Sequence, residues 1–132
     1  MELQDLFNES LFVASRLIEA KASEDALTVL TLLAENEAFG DVRIIACTNC
    51  AIVSANLGRI QDAFAWYDRG IAFEQSHPTR IASRRKAALL AEVGRTQESY
   101  ALFLELLTQP LPDTELEAIR AEMAQLDAGP AA

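Results

Sequence analysis

Few residues in this chain have the type and spacing that chemistry requires. Cys47 and Cys50 form a single Cys-x-x-Cys, the only cysteines present. A redox pair of this form sits at a helix N-terminus, where the thiol pKa is lowered. This one falls inside a helix-forming stretch, so both side chains are expected to face inward as core thiols. With one histidine and no second Cys-x-x-Cys, a four-ligand zinc site cannot be assembled. His77 precedes Pro78 in an expected loop, and no serine, cysteine or acid is placed to complete a triad with it. Glycine-rich nucleotide loops and His-Glu-x-x-His are absent from the sequence. The acids between Asp113 and Asp127 read as a solvated helix face. The expectation is a protein that is not an enzyme and carries no metal or cofactor.

One polar cluster stands out. Arg80, Arg84, Arg85 and Lys86 are four of the eleven bases, yet the chain has twenty acids and a net charge of −9. A guanidinium suits bidentate binding of a carboxylate. The cluster is read in two ways: as a patch that receives the acidic end of a ligand, or as a solvated helix face paired with nearby acids.

The elements that must position these residues are helical. At 132 residues the chain is one ordinary domain by length. Its apolar fraction of 51% is that of a globular protein. Alanine and leucine dominate, with five glycines and four prolines, so good helix formers meet few breakers. The acidic balance argues against nucleic acid, since no surplus of cations displaces counterions, and against docking on an anionic membrane. The opening residues, MELQDLFNES, lack the basic and apolar pattern of a secretory signal. No run of about 18 apolar residues is evident; the longest uncharged run, Ile44 to Gly58, is broken by Thr48, Asn49, Ser54 and Asn56. The expected compartment is the cytoplasm.

An internal repeat organises the chain. Leu57-Gly58-Arg59-Ile60-Gln61-Asp62-Ala63-Phe64-Ala65-Trp66-Tyr67 aligns without gaps on Val93-Gly94-Arg95-Thr96-Gln97-Glu98-Ser99-Tyr100-Ala101-Leu102-Phe103, 36 residues later. The stretch from Ala20 to Leu30 fits the same frame, with Ala26 lying 37 residues before Ala63. Each unit reads as two helices with apolar residues at three- and four-residue steps. Gly58 and Gly94 are expected to end the first helix of their units in a left-handed turn. Ser23 is a candidate N-cap, and Pro78 is placed at the first turn of a helix. Thr114-x-x-Glu117 has the form of a capping box. It opens a last amphipathic helix, whose apolar side carries Leu116, Ile119, Met123 and Leu126 and which suits a terminal cap.

The unit resembles the tetratricopeptide repeat, a helix–turn–helix of typically 34 residues. The small residues that family places in both helices match Ala14, Ala51 and Ala87, and then Ala26, Ala63 and Ser99. Its large second-helix residue matches Leu30, Tyr67 and Phe103, and its glycine matches Gly58 and Gly94. Departures are Lys21 at the glycine of the first unit, and Ser10, Cys47 and Ser83 where the family has tryptophan. The implied fold is all-α: a right-handed solenoid of three pairs, over about 7–41, 44–77 and 80–111, with a cap at 113–127 and a disordered tail at 128–132. Residues 1–127 are thus expected to form a single domain.

The resemblance further implies a concave groove lined by the first helix of each pair. Its residues here are Leu11, Phe12, Ser15 and Ile18; then Ile45, Thr48, Asn49, Ile52 and Asn56; then Ile81, Arg84, Arg85 and Ala88. One end is apolar and the other basic. The carboxylate clamp that some tetratricopeptide proteins use for chaperone tails is not matched. Asn49 and Arg85 fit it, but Leu11, Ser15 and Ile81 do not. Trp66 falls at an expected rim, either packed against the next helix or exposed as a self-association patch. The implied function is a protein-interaction module, an adaptor or scaffold that binds a peptide or helix with apolar anchors and an acidic end. Alternatives are a small cytosolic chaperone for a secretion-system or assembly subunit, and a self-assembling scaffold.

Overall fold

The structure, a computed structural model, describes residues 2–128. It is all-α: among the described residues there are seven α-helices, one 3-10 segment and no strand. Ala128 is the last residue of the last helix; the remainder of the expected tail, 129–132, lies outside the described residues. The chain divides into two compact units between Phe73 and Glu74.

The first unit contains α1 (Leu3–Glu19), α2 (Ser23–Glu35), a 3-10 segment (Glu37–Val42), α3 (Arg43–Asn56) and α4 (Ile60–Glu74) as far as Phe73. Helix α2 packs on both α1 and α3. Phe7, Ala14, Leu30, Leu33, Ala34, Ala46, Cys47, Cys50 and Val53 form the core, with Trp66 and Phe73 of α4 set against it. The Phe7 ring meets Phe39 of the 3-10 segment at 5.3 Å. Among the described residues, the segment 37–56 is long and apolar enough to cross a membrane, and half of its most apolar window is buried. Its hydrophobicity is that of a core helix: Ile44, Ala46, Cys47, Cys50, Ala51 and Val53 are all buried.

The second unit contains α5 (Ile81–Glu92), α6 (Thr96–Leu107) and α7 (Asp113–Ala128). Helix α6 packs on both α5 and α7. Its core is Ala87, Phe103, Leu106, Leu111 and Ile119, flanked by Leu116, Met123 and Leu126.

The same turn recurs three times. Gly58 has φ +80° and Gly94 φ +86°. At each, two backbone bonds close the helix: Gly58 N–H to Ala55 O at 2.9 Å and Arg59 N–H to Ser54 O at 2.9 Å; Gly94 N–H to Ala91 O at 3.1 Å and Arg95 N–H to Leu90 O at 2.8 Å. This is the paired C-terminal closure that a left-handed residue permits. Lys21 adopts φ +62° and makes the same pair, Lys21 N–H to Ile18 O at 2.9 Å and Ala22 N–H to Leu17 O at 2.8 Å. The residues repeated around the turns are buried in each case: Ala14, Ala51 and Ala87; Ala26, Ala63 and Ser99; Leu30, Tyr67 and Phe103.

Two helix starts and one capping motif differ from the sequence reading. Ser23 is the first residue of α2, the cap position falls on Ala22, and no side chain caps it. Helix α5 begins at Ile81, three residues beyond Pro78. Helix α7 begins at Asp113, before Thr114.

Candidate functional site

Helix α5 owes its start to a buried acid. Glu74 is fully buried, and its carboxylate accepts from Ala82 N–H at 3.0 Å, Ser83 N–H at 2.9 Å and Ser83 Oγ at 2.8 Å. The two N–H groups are donors that the first turn of a helix leaves unpaired. Burial pushes the Glu74 carboxyl above its ordinary value, while the donors from Ser83 and Ala82 and the charge of Arg80 pull the other way.

The basic cluster follows at once, and most of its charge is already engaged. Arg80 is buried. Its guanidinium donates to the carbonyls of Glu74 (2.7 Å), His77 (2.8 Å) and Thr79 (2.7 Å) and to Gln109 Oε1 (2.7 Å). It therefore ties the loop before α5 to the end of α6. Arg84 reaches across to α7, donating from Nε to both oxygens of Glu122 at 3.1 Å and from Nη1 to Glu115 Oε1 at 3.0 Å. Glu115 also accepts from the backbone N–H of Arg80 at 3.2 Å. These bonds take two of the four bases out of the ligand reading: Arg84 is paired with acids, as the second reading has it, while Arg80 fits neither, being buried and bonded to loop carbonyls and Gln109. Lys86 lies in a shallow hollow with Arg95 and Glu98, apart from the cavity described next. Arg85 is exposed, and among the described residues it has no hydrogen bond or ion pair.

Arg85 borders a cavity of about 400 Å³ between α5 and α7. Ile81, Ala88, Ala91, Phe103 and Leu126 give it apolar walls, and Arg84, Arg85, Glu122 and Gln125 give it a polar margin. Small side chains on α5, Ala88 and Ala91, leave the space open. Four residues expected in a groove from the sequence, Ile81, Arg84, Arg85 and Ala88, thus meet around one cavity. Glu122, Gln125 and Leu126 were not foreseen as part of it; the three-residue steps from Ile119 to Glu122 to Gln125 put them beside the apolar stripe of α7.

The expected groove residues of the first unit lie on α1 and α3. Phe12 is 64% exposed with the Arg16 guanidinium 5.9 Å from its ring centre, and Ile45 is 46% exposed. Ser15, Ile18 and Asn56 are exposed, while Leu11, Asn49 and Ile52 are half-buried. Thr48 is the exception: it is buried, and its hydroxyl donates to Ile44 O at 2.8 Å. A β-branched hydroxyl bonded back to its own helix offers little to a ligand.

Cys47 and Cys50 are buried and free of a disulfide. Burial raises the Cys47 thiol and pushes Cys50 up to about 12, so both stand as neutral thiols. Among the described residues, no group of three or more His, Cys, Asp or Glu is placed to hold a metal. Trp66 is half-buried against the first core, and the Arg69 guanidinium covers its ring at 4.5 Å. No protein-family model, curated protein or solved structure matches the chain.

Proposed function

We propose that this chain is a protein-interaction module of the tetratricopeptide type, a right-handed solenoid of three helix pairs closed by α7, which receives a partner segment on its first helices. The recurrence of one turn geometry at Lys21, Gly58 and Gly94 supports the repeat reading. The single observation that carries the binding reading is the α5–α7 cavity, with apolar walls and the unengaged guanidinium of Arg85 at its edge. An apolar anchor of a peptide would fill the cavity, and a carboxylate one or two residues away would reach Arg85. Arg84, already held by Glu122 and Glu115, would position α7 and not the ligand.

The test is a fluorescence-anisotropy titration with a panel of labelled peptides, each carrying a Leu, Ile or Phe anchor near an acidic terminus. Ala88→Trp fills the cavity and should abolish binding. Arg85→Glu should weaken binding about tenfold, the scale of one charge-assisted hydrogen bond, and reduce its salt dependence. Binding that ignores both substitutions would exclude the cavity as the site.

A second reading, a chaperone that shields an apolar subunit, draws on the exposure of Phe12, Ile18 and Ile45. Its client would be degraded or insoluble without the chaperone, and Phe12→Ser with Ile45→Ser would remove protection while Ala88→Trp would not.

A further inference from the structure

Helix α1 carries a mostly apolar seam that its own unit covers only in part: Ser10 and Leu17 are half-buried, and Leu3, Leu6 and Val13 are exposed. Leu3, Leu6, Ser10, Val13 and Leu17 recur at steps of three and four residues, the spacing of a seam between two helices. Leu3 is 53% exposed, Leu6 45% and Val13 49%. The buried residues of the helix, Phe7 and Ala14, lie on one flank of this seam. The other flank bears Glu2, Glu9 and Arg16, each seven residues from the last. Among the described residues, Glu9 and Arg16 take part in no ion pair.

We infer that the occupant of this seam is a second copy of the chain, packed through α1 against α1 in antiparallel orientation. Charge decides both the partner and the direction. Antiparallel helices bring the same flank of each seam together. With Leu6 opposite Leu17 and Val13 opposite Ser10 of the other copy, Glu9 of each lies beside Arg16 of the other, so two ion pairs form by symmetry. A parallel packing sets that flank against the side where Phe7 and Ala14 are buried and forms neither. The interface is isologous, as a two-fold dimer requires. It uses no residue of the α5–α7 cavity, so it stands or falls apart from the proposed peptide site.

Sedimentation velocity over a concentration series tests it. The wild type should pass from monomer to dimer as concentration rises. Val13→Glu should hold the chain monomeric with unchanged helical circular dichroism, since Val13 is not in the core. Arg16→Glu should raise the dimer dissociation constant about tenfold, and the swap Glu9→Arg with Arg16→Glu should bring it back while keeping the net charge of the wild type. A wild type that stays monomeric into the range of hundreds of micromolar overturns the inference. So does association that survives Val13→Glu, or a swap that fails to restore what Arg16→Glu removed.

Discussion

Lys21 occupies a backbone conformation that a side chain disfavours. A left-handed residue with a Cβ costs about 1 kcal/mol more than glycine. Lys21→Gly should therefore raise stability by about 0.5–1 kcal/mol. Gly58→Ala should lower it by a similar amount, because a Cβ at Gly58 meets nothing within 4 Å and only the backbone term remains. Chemical denaturation of the two variants checks both signs; a Lys21→Gly protein less stable than the wild type would show that Lys21 contributes more than its conformation. The turns at Gly58 and Gly94 were legible in the sequence because glycine announces them. That at Lys21 was visible only through the repeat frame. Glu74 escaped notice for a different reason. Its hydrogen-bond partners lie eight and nine residues on, across a loop, and no local pattern marks such a cap. Its pH effect has a definite sign. Burial raises its folded pKa above the ordinary 4.5, so the native state holds this proton more tightly than the unfolded chain. The group's contribution to stability is fully present below the unfolded value and declines as pH rises through the folded one. Thermal unfolding of Glu74→Gln and wild type at a series of pH values should show the difference between them changing across that window and constant below it. Parallel curves throughout would contradict the assignment.

At the scale of elements, the second unit is held by ion pairs as well as by its core. Arg84 of α5 binds Glu122 and Glu115 of α7, with about 18% of its own side chain exposed. Removing one partner of a half-buried, hydrogen-bonded pair costs about 2 kcal/mol. Arg84→Glu should therefore loosen α7, and hydrogen exchange should quicken around Ile119 while α2 and α3 keep their protection. Arg84→Glu with Glu122→Arg should recover part of the loss. If α7 exchanges at the same rate in all three proteins, the docking of that helix rests on Ile119 and its apolar neighbours alone. The amphipathic pattern of α7 foretold its apolar side. Pairing of Arg84 with residues 31 and 38 positions away lies beyond periodicity, and it makes one expected groove residue part of the scaffold. The starts of α2 at Ser23 and of α5 beyond Pro78 have local causes. Ala22 follows the left-handed Lys21 closely enough to take the cap position itself. Beyond Pro78, Thr79 and Arg80 stay outside the helix, where Arg80 can gather the loop carbonyls.

For the whole molecule, the period of about 36 residues describes the elements, and the division after Phe73 describes their packing. The division falls inside α4, next to Glu74, which is bonded forward to Ala82, Ser83 and Arg80. Helical content and the inward placement of Cys47 and Cys50 could be read from residue types and spacing. The cavity could not: its α5 wall was indicated by Ile81, Arg84, Arg85 and Ala88, but Glu122, Gln125 and Leu126 complete it from an element expected only to cap. The most direct measurement is a nitrogen–proton correlation spectrum of the labelled protein during titration with a peptide that carries an apolar anchor beside an acidic terminus. Binding in the cavity predicts that amide shifts cluster at Ile81, Arg85, Ala88 and Ala91 on α5 and at Gln125 and Leu126 on α7, and that Ala88→Trp abolishes them. Shifts confined to α1 and α3, or a spectrum unmoved by every peptide of the panel, would contradict it.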